Sequence, residues 1–154
     1  IYSSCKRSCE HQVVDALVSM KAAVCAERGI RLELDLALAD DVSLPSVELC
    51  AVFSNLLDNA VSACGKVPEG ARFIKLKARV DAGYLAVRME NSCAPAEPGE
   101  ARRAPRRSRG DRLPEHGWGL NILKTLADRH DGTLETVQED GVYRTTVLLK
   151  LDAR

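Results

Sequence analysis

Residues 55–64, Asn-Leu-Leu-Asp-Asn-Ala-Val-Ser-Ala-Cys, set Asn55, Asp58 and Asn59 into a run that otherwise reads as buried helix. Buried amides and carboxylates carry a desolvation penalty unless something pairs with them. Asn55 and Asn59 are four residues apart, so on a helix they stand one turn above each other on one face, with Asp58 alongside. Two carboxamides placed in this way can reach one object. The rest of the chain has to say what that object is.

Around this stretch, Leu49, Val52, Phe53, Leu56, Leu57, Ala60, Val61 and Cys64 form a wide apolar stripe at helical spacing, running from Pro45 to a stop at Gly65. Upstream, Val14, Leu17, Val18, Ala22 and Cys25 predict a first helix that closes at Gly29. Ile30, Leu32, Leu34 and Leu36 then alternate with charged residues, the period of a strand with one wet face. RFIKLKARV and YLAVRME alternate in the same way, and the Asp81-Ala82-Gly83 turn between them predicts an antiparallel hairpin. Downstream, Leu120, Leu123 and Leu126 or Ala127 predict a helix closing at Gly132, and a final hairpin turns at Asp140-Gly141. The resulting order is helix, strand, helix, two strands, long loop, helix, two strands. It predicts an α+β two-layer sandwich, a mixed sheet covered by helices on one face. No internal repeat is visible.

Composition narrows the class. A length of 154 residues, 45% hydrophobic and 29% charged, suits one ordinary domain with a real core. Twenty-two basic against twenty-two acidic residues give no net charge, so nothing points to general attraction for nucleic acid or a membrane surface. The six cysteines contain no CxxC pair and are spread through apolar stretches, which fits reduced thiols better than a disulfide frame or a zinc site. Cys5 and Cys9 are expected on one helix face. No apolar run is expected to approach the roughly 20 residues that cross a bilayer, and no secretory signal opens the chain. The start at Ile1 rather than Met leads us to expect a fragment of a longer chain.

Between Ser92 and His116 the character changes to four prolines, two glycines and six arginines, with Leu113 the one large aliphatic residue. A loop of this length inside a domain suggests a lid or plain disorder. It leads into His116-Gly117-Trp118-Gly119-Leu120, where the glycines precede or open a helix. Backbone N–H groups at such a point can approach an anion, assisted by the helix N-terminus. Taken alone, a bland turn explains those glycines as well.

Together, FSNLLDNAVSAC, the strand end VRMENS and HGWGLNIL resemble the N, G1 and G2 boxes of the GHKL (Bergerat-type) ATP-binding fold found in gyrase, heat-shock chaperones and histidine kinases. The resemblance is strongest to the catalytic domain of sensor histidine kinases of the peptide-quorum-sensing subfamily, and it runs from about Ser8 to Leu151. It implies ATP and Mg²⁺ as cofactors, Asn59 as a metal ligand, and Asn55 close to the phosphates or the metal's waters. It also implies His116, Gly117, Gly119 and Leu120 as nucleotide-binding residues, with 92–116 as a mobile ATP lid. Asp58 is expected to be structural, or to support the site from behind its direct ligands, rather than to be catalytic. Where hydrolysing relatives carry a glutamate that activates water, Asn55 has no basic site, so the resemblance favours phosphoryl transfer, with Asn55 as the catalytic position.

The G1 stretch departs from the family's DxGxG motif. Strand parity puts Leu85, Val87 and Met89 inward, so Asn91 takes the aspartate's place and Glu90 points away. An amide there can both accept from and donate to an adenine edge, although an Asn that caps the strand end is an equal reading. Arginines 102, 103, 106, 107, 109 and 112 could fold over a triphosphate. Trp118 is expected as a packing anchor, Lys124 as a solvated helix residue, and His11 and His130 as ordinary rather than phospho-acceptors. The implied partners are dimerising, phospho-acceptor helices upstream in the same protein and a response regulator. The implied location is a cytoplasmic domain of a membrane-anchored sensor. Two alternatives stay open: a stand-alone serine kinase of the anti-sigma-factor type, and a non-catalytic scaffold that has lost ATP binding.

Overall fold

Period-two alternation and two tight reversals build half of the sheet. β3 (Phe73–Asp81) and β4 (Tyr84–Ser92) are joined by Ala82 and Gly83, both at positive φ (53° and 81°). β5 (Thr133–Glu139) and β6 (Val142–Lys150) are joined in the same way by Asp140 and Gly141 (53° and 77°). Two-residue turns with both central residues left-handed match the twist of paired strands, which is why Asp, Gly and here a strained Ala occupy them. The computed structural model describes residues 4–9, 11–39, 42–95 and 115–152, with the side chains of 11–39, 42–95 and 119–152.

The other half of the sheet is parallel. β2 (Arg31–Leu38) runs beside β3, and β1 (Ser4–Cys9) runs beside β2 in register Ser4↔Glu33 to Cys9↔Leu38. Parallel neighbours need long crossovers, and α1 (Gln12–Glu27) and α2 (Ser46–Cys64) supply them. The strand order is β1-β2-β3-β4-β6-β5, a six-stranded mixed sheet. α3 (Glu115–Arg129) leads into β5, and α2 packs against both α1 and α3 on the sheet's inner face. Leu32, Leu34, Leu36, Ile74, Leu76, Leu85, Val87, Met89, Val147 and Leu149 bury that face against Leu49, Val52, Phe53, Leu56 and Leu57 of α2. The expected α+β sandwich is therefore present, with one strand more than expected.

That extra strand corrects the expectation of a helix face for Cys5 and Cys9. SCKRSC carries no apolar period of its own, and pairing with the free edge of β2 decides its conformation. A second correction concerns α2. Its 19 residues are long and apolar enough by composition to cross a bilayer, where no such run was expected. In the fold its stripe packs on the sheet, as that of a core helix does. Gly132 shows where α3 and β6 meet, because a Cβ there would collide with the Leu148 carbonyl.

Candidate functional site

α2 turns about 100° per residue, so its polar residues cannot all share one outlook. Asn55 and Asn59 lie half-buried toward α3. Asp58 is exposed on the side of α1, where it pairs with Lys21. The expectation of a structural Asp58 therefore agrees with its ion pair, but it does not join the two amides.

The amides meet Gly119. A Cβ built on that buried glycine would stand 3.2 Å from Asn55 Oδ1 and 3.3 Å from Asn59 Oδ1. Two residues a helical turn apart and a third from another helix thus converge on one point. Asn55 Nδ2 donates to the Ala51 carbonyl at 2.6 Å, which holds its oxygen toward α3. α3 begins at Glu115, so Gly117 and Gly119 are both inside its first turns. The side chains of His116 and Trp118, and the whole of 96–114 with its six arginines, lie outside the described residues.

Beside this seam is a cavity of about 230 Å³, lined by Asn59, Lys66 and Leu120 on one side and by Cys93, Gln138 and Tyr143 on the other. Of the residues expected to bind nucleotide, Asn59 and Leu120 line this cavity. Asn91 holds the inward parity expected of it, 1% exposed, while Glu90 lies on the opposite face and pairs with Arg144 at 3.3 Å. Asn91 Nδ2 donates to the Ser92 carbonyl at 3.0 Å, and the cavity wall is made by the residues just past it, Cys93 and Ala94. Gln138 Nε2 donates to Ala94 O at 3.0 Å and ties that segment to β5.

Burial raises the pKa of the Cys93 thiol, with the nearby Cys64 adding to it, so the thiol stays neutral. Burial likewise raises Tyr143, against a lowering hydrogen bond with Thr136. Lys66 is then the one charged side chain of this lining.

Sequence reading missed Lys66, Cys93, Gln138 and Tyr143. Lys66 lies in the turn just past the end of α2, beyond Gly65, where helical spacing from Asn59 no longer applies. Tyr143 and Gln138 depend on strand pairing, which no local pattern reveals. His11 caps α1 by accepting from Val14 N at 3.4 Å, and His130 Nε2 meets Glu48 Oε1 at 2.6 Å. Both are structural, as expected, and Lys124 is exposed and paired with Asp128.

The family model described as the GHKL domain matches residues 44–150, a span that holds both α2 and the α3 seam. The chain belongs to the GHKL domain family. No curated protein matches it. Among solved structures, this GHKL domain is similar to the catalytic domain of histidine kinase ThkA, with TM-score 0.69 and 18% identity over 90% of this chain and 92% of that one. It is also similar to the mycobacterial sensor histidine kinase MprB, with TM-score 0.63 and 21% identity over 93% and 95%. Acinetobacter baumannii AdeS gives TM-score 0.64 and 17% identity over 92% of this chain and 64% of that one. At these identities the likeness establishes a shared fold, that of histidine kinase catalytic domains.

Among the described residues no cluster of three or more His, Cys, Asp or Glu side chains offers a metal site. The donors at the seam are instead neutral carboxamide oxygens, with space beside a glycine. That set fits a hard cation such as Mg²⁺, which takes oxygen ligands, is held by few protein groups and keeps phosphates and waters as the rest.

Proposed function

We propose that this GHKL domain binds Mg²⁺·ATP at the α2–α3 seam and donates the γ-phosphoryl group to a histidine outside residues 1–154, as the catalytic domain of a two-component sensor kinase. The observation that carries the reading is the convergence of Asn55, Asn59 and Gly119 on one point beside a cavity of about 230 Å³. On this reading Asn59 Oδ1 holds the metal and Gly119 leaves room for phosphate oxygens. His116 and Gly117 complete the phosphate end, and Leu120 packs beneath the nucleotide. Mg²⁺, when bound, supplies positive charge to the phosphate oxygens.

Asn55 orients and does not abstract a proton, because a carboxamide is not a base near neutral pH. Phosphoryl transfer depends mainly on positioning and charge stabilisation, so a site without a general base suits donation better than hydrolysis. The partners follow: upstream helices bearing the acceptor histidine, and a response regulator that receives the phosphoryl group. On this reading the domain works in the cytoplasm as part of a membrane-anchored sensor, a compartment that suits ATP and reduced thiols. Asn91 is the candidate for the adenine edge.

A second reading is favoured by one observation. Asn91 commits its amide to Ser92 O and leaves the cavity wall to its neighbours, as a scaffold without ATP binding would allow. Calorimetry with a non-hydrolysable ATP analogue, with and without Mg²⁺, separates the two. The kinase reading expects Mg²⁺-dependent binding that Asn59→Ala weakens. A folded wild-type domain that binds nothing at millimolar nucleotide overturns it.

A further inference from the structure

Glu48 stands in the first turn of α2 with its side chain only 15% exposed, and the end of α3 closes on it. Arg129 Nη1 donates to Glu48 Oε2 at 2.6 Å, and His130 Nε2 meets Oε1 at 2.6 Å. Burial raises the pKa of this carboxyl, but the hydrogen bonds from His130 and Arg129 outweigh it and hold the group ionised near neutral pH. The His130 backbone carbonyl in turn accepts from Lys150 N of β6 at 2.9 Å. One carboxylate thus joins the start of α2 to the point where α3 is anchored on the sheet.

The same two helices meet again where Gly119 faces Asn55 and Asn59. The contacts pair in reverse order along the two chains, so α2 and α3 run antiparallel, with the junctions about 15 Å apart at 1.5 Å rise per residue. Between them, Val52 and Leu56 of α2 share the core with Leu123 and Leu126 of α3. Apolar burial is non-directional, so it holds two helices together without fixing how far one has slid along the other. Hydrogen bonds to a carboxylate have direction and do fix it. Among the described residues, the side-chain hydrogen bonds that link α2 to the end of α3 both fall on Glu48. The seam is sensitive to a slide, since a Cβ on Gly119 would stand only 3.2 Å from Asn55 Oδ1 and 3.3 Å from Asn59 Oδ1.

We propose that Glu48 is a positioning residue for the seam: by fixing the axial register of α3 on α2, it sets where Gly119 stands against Asn55 and Asn59, and with it the affinity for nucleotide. The effect on affinity rests on the nucleotide reading given above, whereas the effect on register does not.

The test therefore reads the seam without ligand first. In the free domain, the side-chain amide resonances of Asn55 and Asn59 in a proton–nitrogen correlation spectrum report what stands opposite them. Glu48→Ala is expected to move both, and Glu48→Gln, which keeps an oxygen for Arg129 and His130, to return them most of the way. Arg79→Gln, which breaks the ion pair with Asp35 elsewhere in the fold, is expected to leave them in place. Unmoved amides in a folded Glu48→Ala domain overturn the inference. If that variant does not fold, Arg129→Ala decides in the same way, because this arginine is 57% exposed and carries one of the two hydrogen bonds.

Calorimetric titration with the Mg²⁺ complex of a non-hydrolysable ATP analogue is the second readout. Glu48→Ala is expected to weaken binding about tenfold, and much less in a Gly119→Ala background, where the seam is already filled. Losses that simply add in the double variant overturn the inference, because distant sites that do not communicate are additive. Wild type that binds no nucleotide overturns the kinase reading, and the amide resonances alone then decide whether Glu48 positions the seam.

Discussion

Replacing Gly119 by alanine separates the seam's role in folding from its role in binding. In a helix, alanine is favoured over glycine by about 1 kcal/mol through lower backbone entropy loss. At this position the new methyl group meets Asn55 Oδ1 at 3.2 Å and Asn59 Oδ1 at 3.3 Å. Both contacts are tight but fall on side-chain amides, which can yield by a few tenths of an ångström. The two effects oppose each other, so the melting temperature of the free domain should stay within a few degrees of wild type.

Ligand binding should respond quite differently. The methyl occupies the point on which both oxygens converge, so a phosphate or cation loses at least one contact with them. A hydrogen bond to a charged group contributes about 1.5–3 kcal/mol, which corresponds to a loss of about 10- to 100-fold in affinity. Differential scanning calorimetry and titration of the Mg²⁺·ATP analogue measure the two quantities on one preparation. Two results refute the reasoning: Gly119→Ala binding within about twofold of wild type, or a melting temperature so low that the seam must be a rigid packing contact.

Two further perturbations test other parts of the fold. Burial alone raises Glu48, but hydrogen bonds from His130 and Arg129 outweigh it and hold the carboxyl below its ordinary value of 4.5. A depressed carboxylate adds stability that is present above the unfolded-state value and lost as pH falls through the folded one. Glu48→Gln should therefore lower the melting temperature at pH 7 and narrow the difference progressively below pH about 4.5, whereas parallel curves from pH 7 to pH 3 exclude the linkage. Asp58→Asn removes the ion pair with Lys21, and because the Asp58 carboxylate is 58% exposed, stability should fall by no more than about 1 kcal/mol in urea titration. Nucleotide affinity should not change, and a drop comparable to that of Asn59→Ala would put Asp58 in the site after all.

Much of this architecture is local chemistry. Asp140-Gly141 and the Ala82-Gly83 pair mark reversals because glycine takes positive φ easily, and the strands flanking them alternate because one face is buried. The α2 stripe is equally plain, since eight apolar residues at helical spacing need one surface to cover them. Asn91's inward parity follows from counting along β4. β1 was not legible in this way: six residues of Ser, Cys, Lys and Arg become a strand through the free edge of β2, a partner about 30 residues away in the chain.

The sequence by itself determined the two-layer sandwich, the polar face of α2 and the pairing of Asn55 with Asn59, because helical and strand periods are properties of neighbouring residues. Only the tertiary structure decided what those amides face. Gly119 comes from a different helix and meets them because α3 packs against α2. Asp58 turns to Lys21 because α1 lies on the other side. Tyr143 and Gln138 reach the cavity through the register of β4, β5 and β6, a long-range fact that no spacing along the chain encodes.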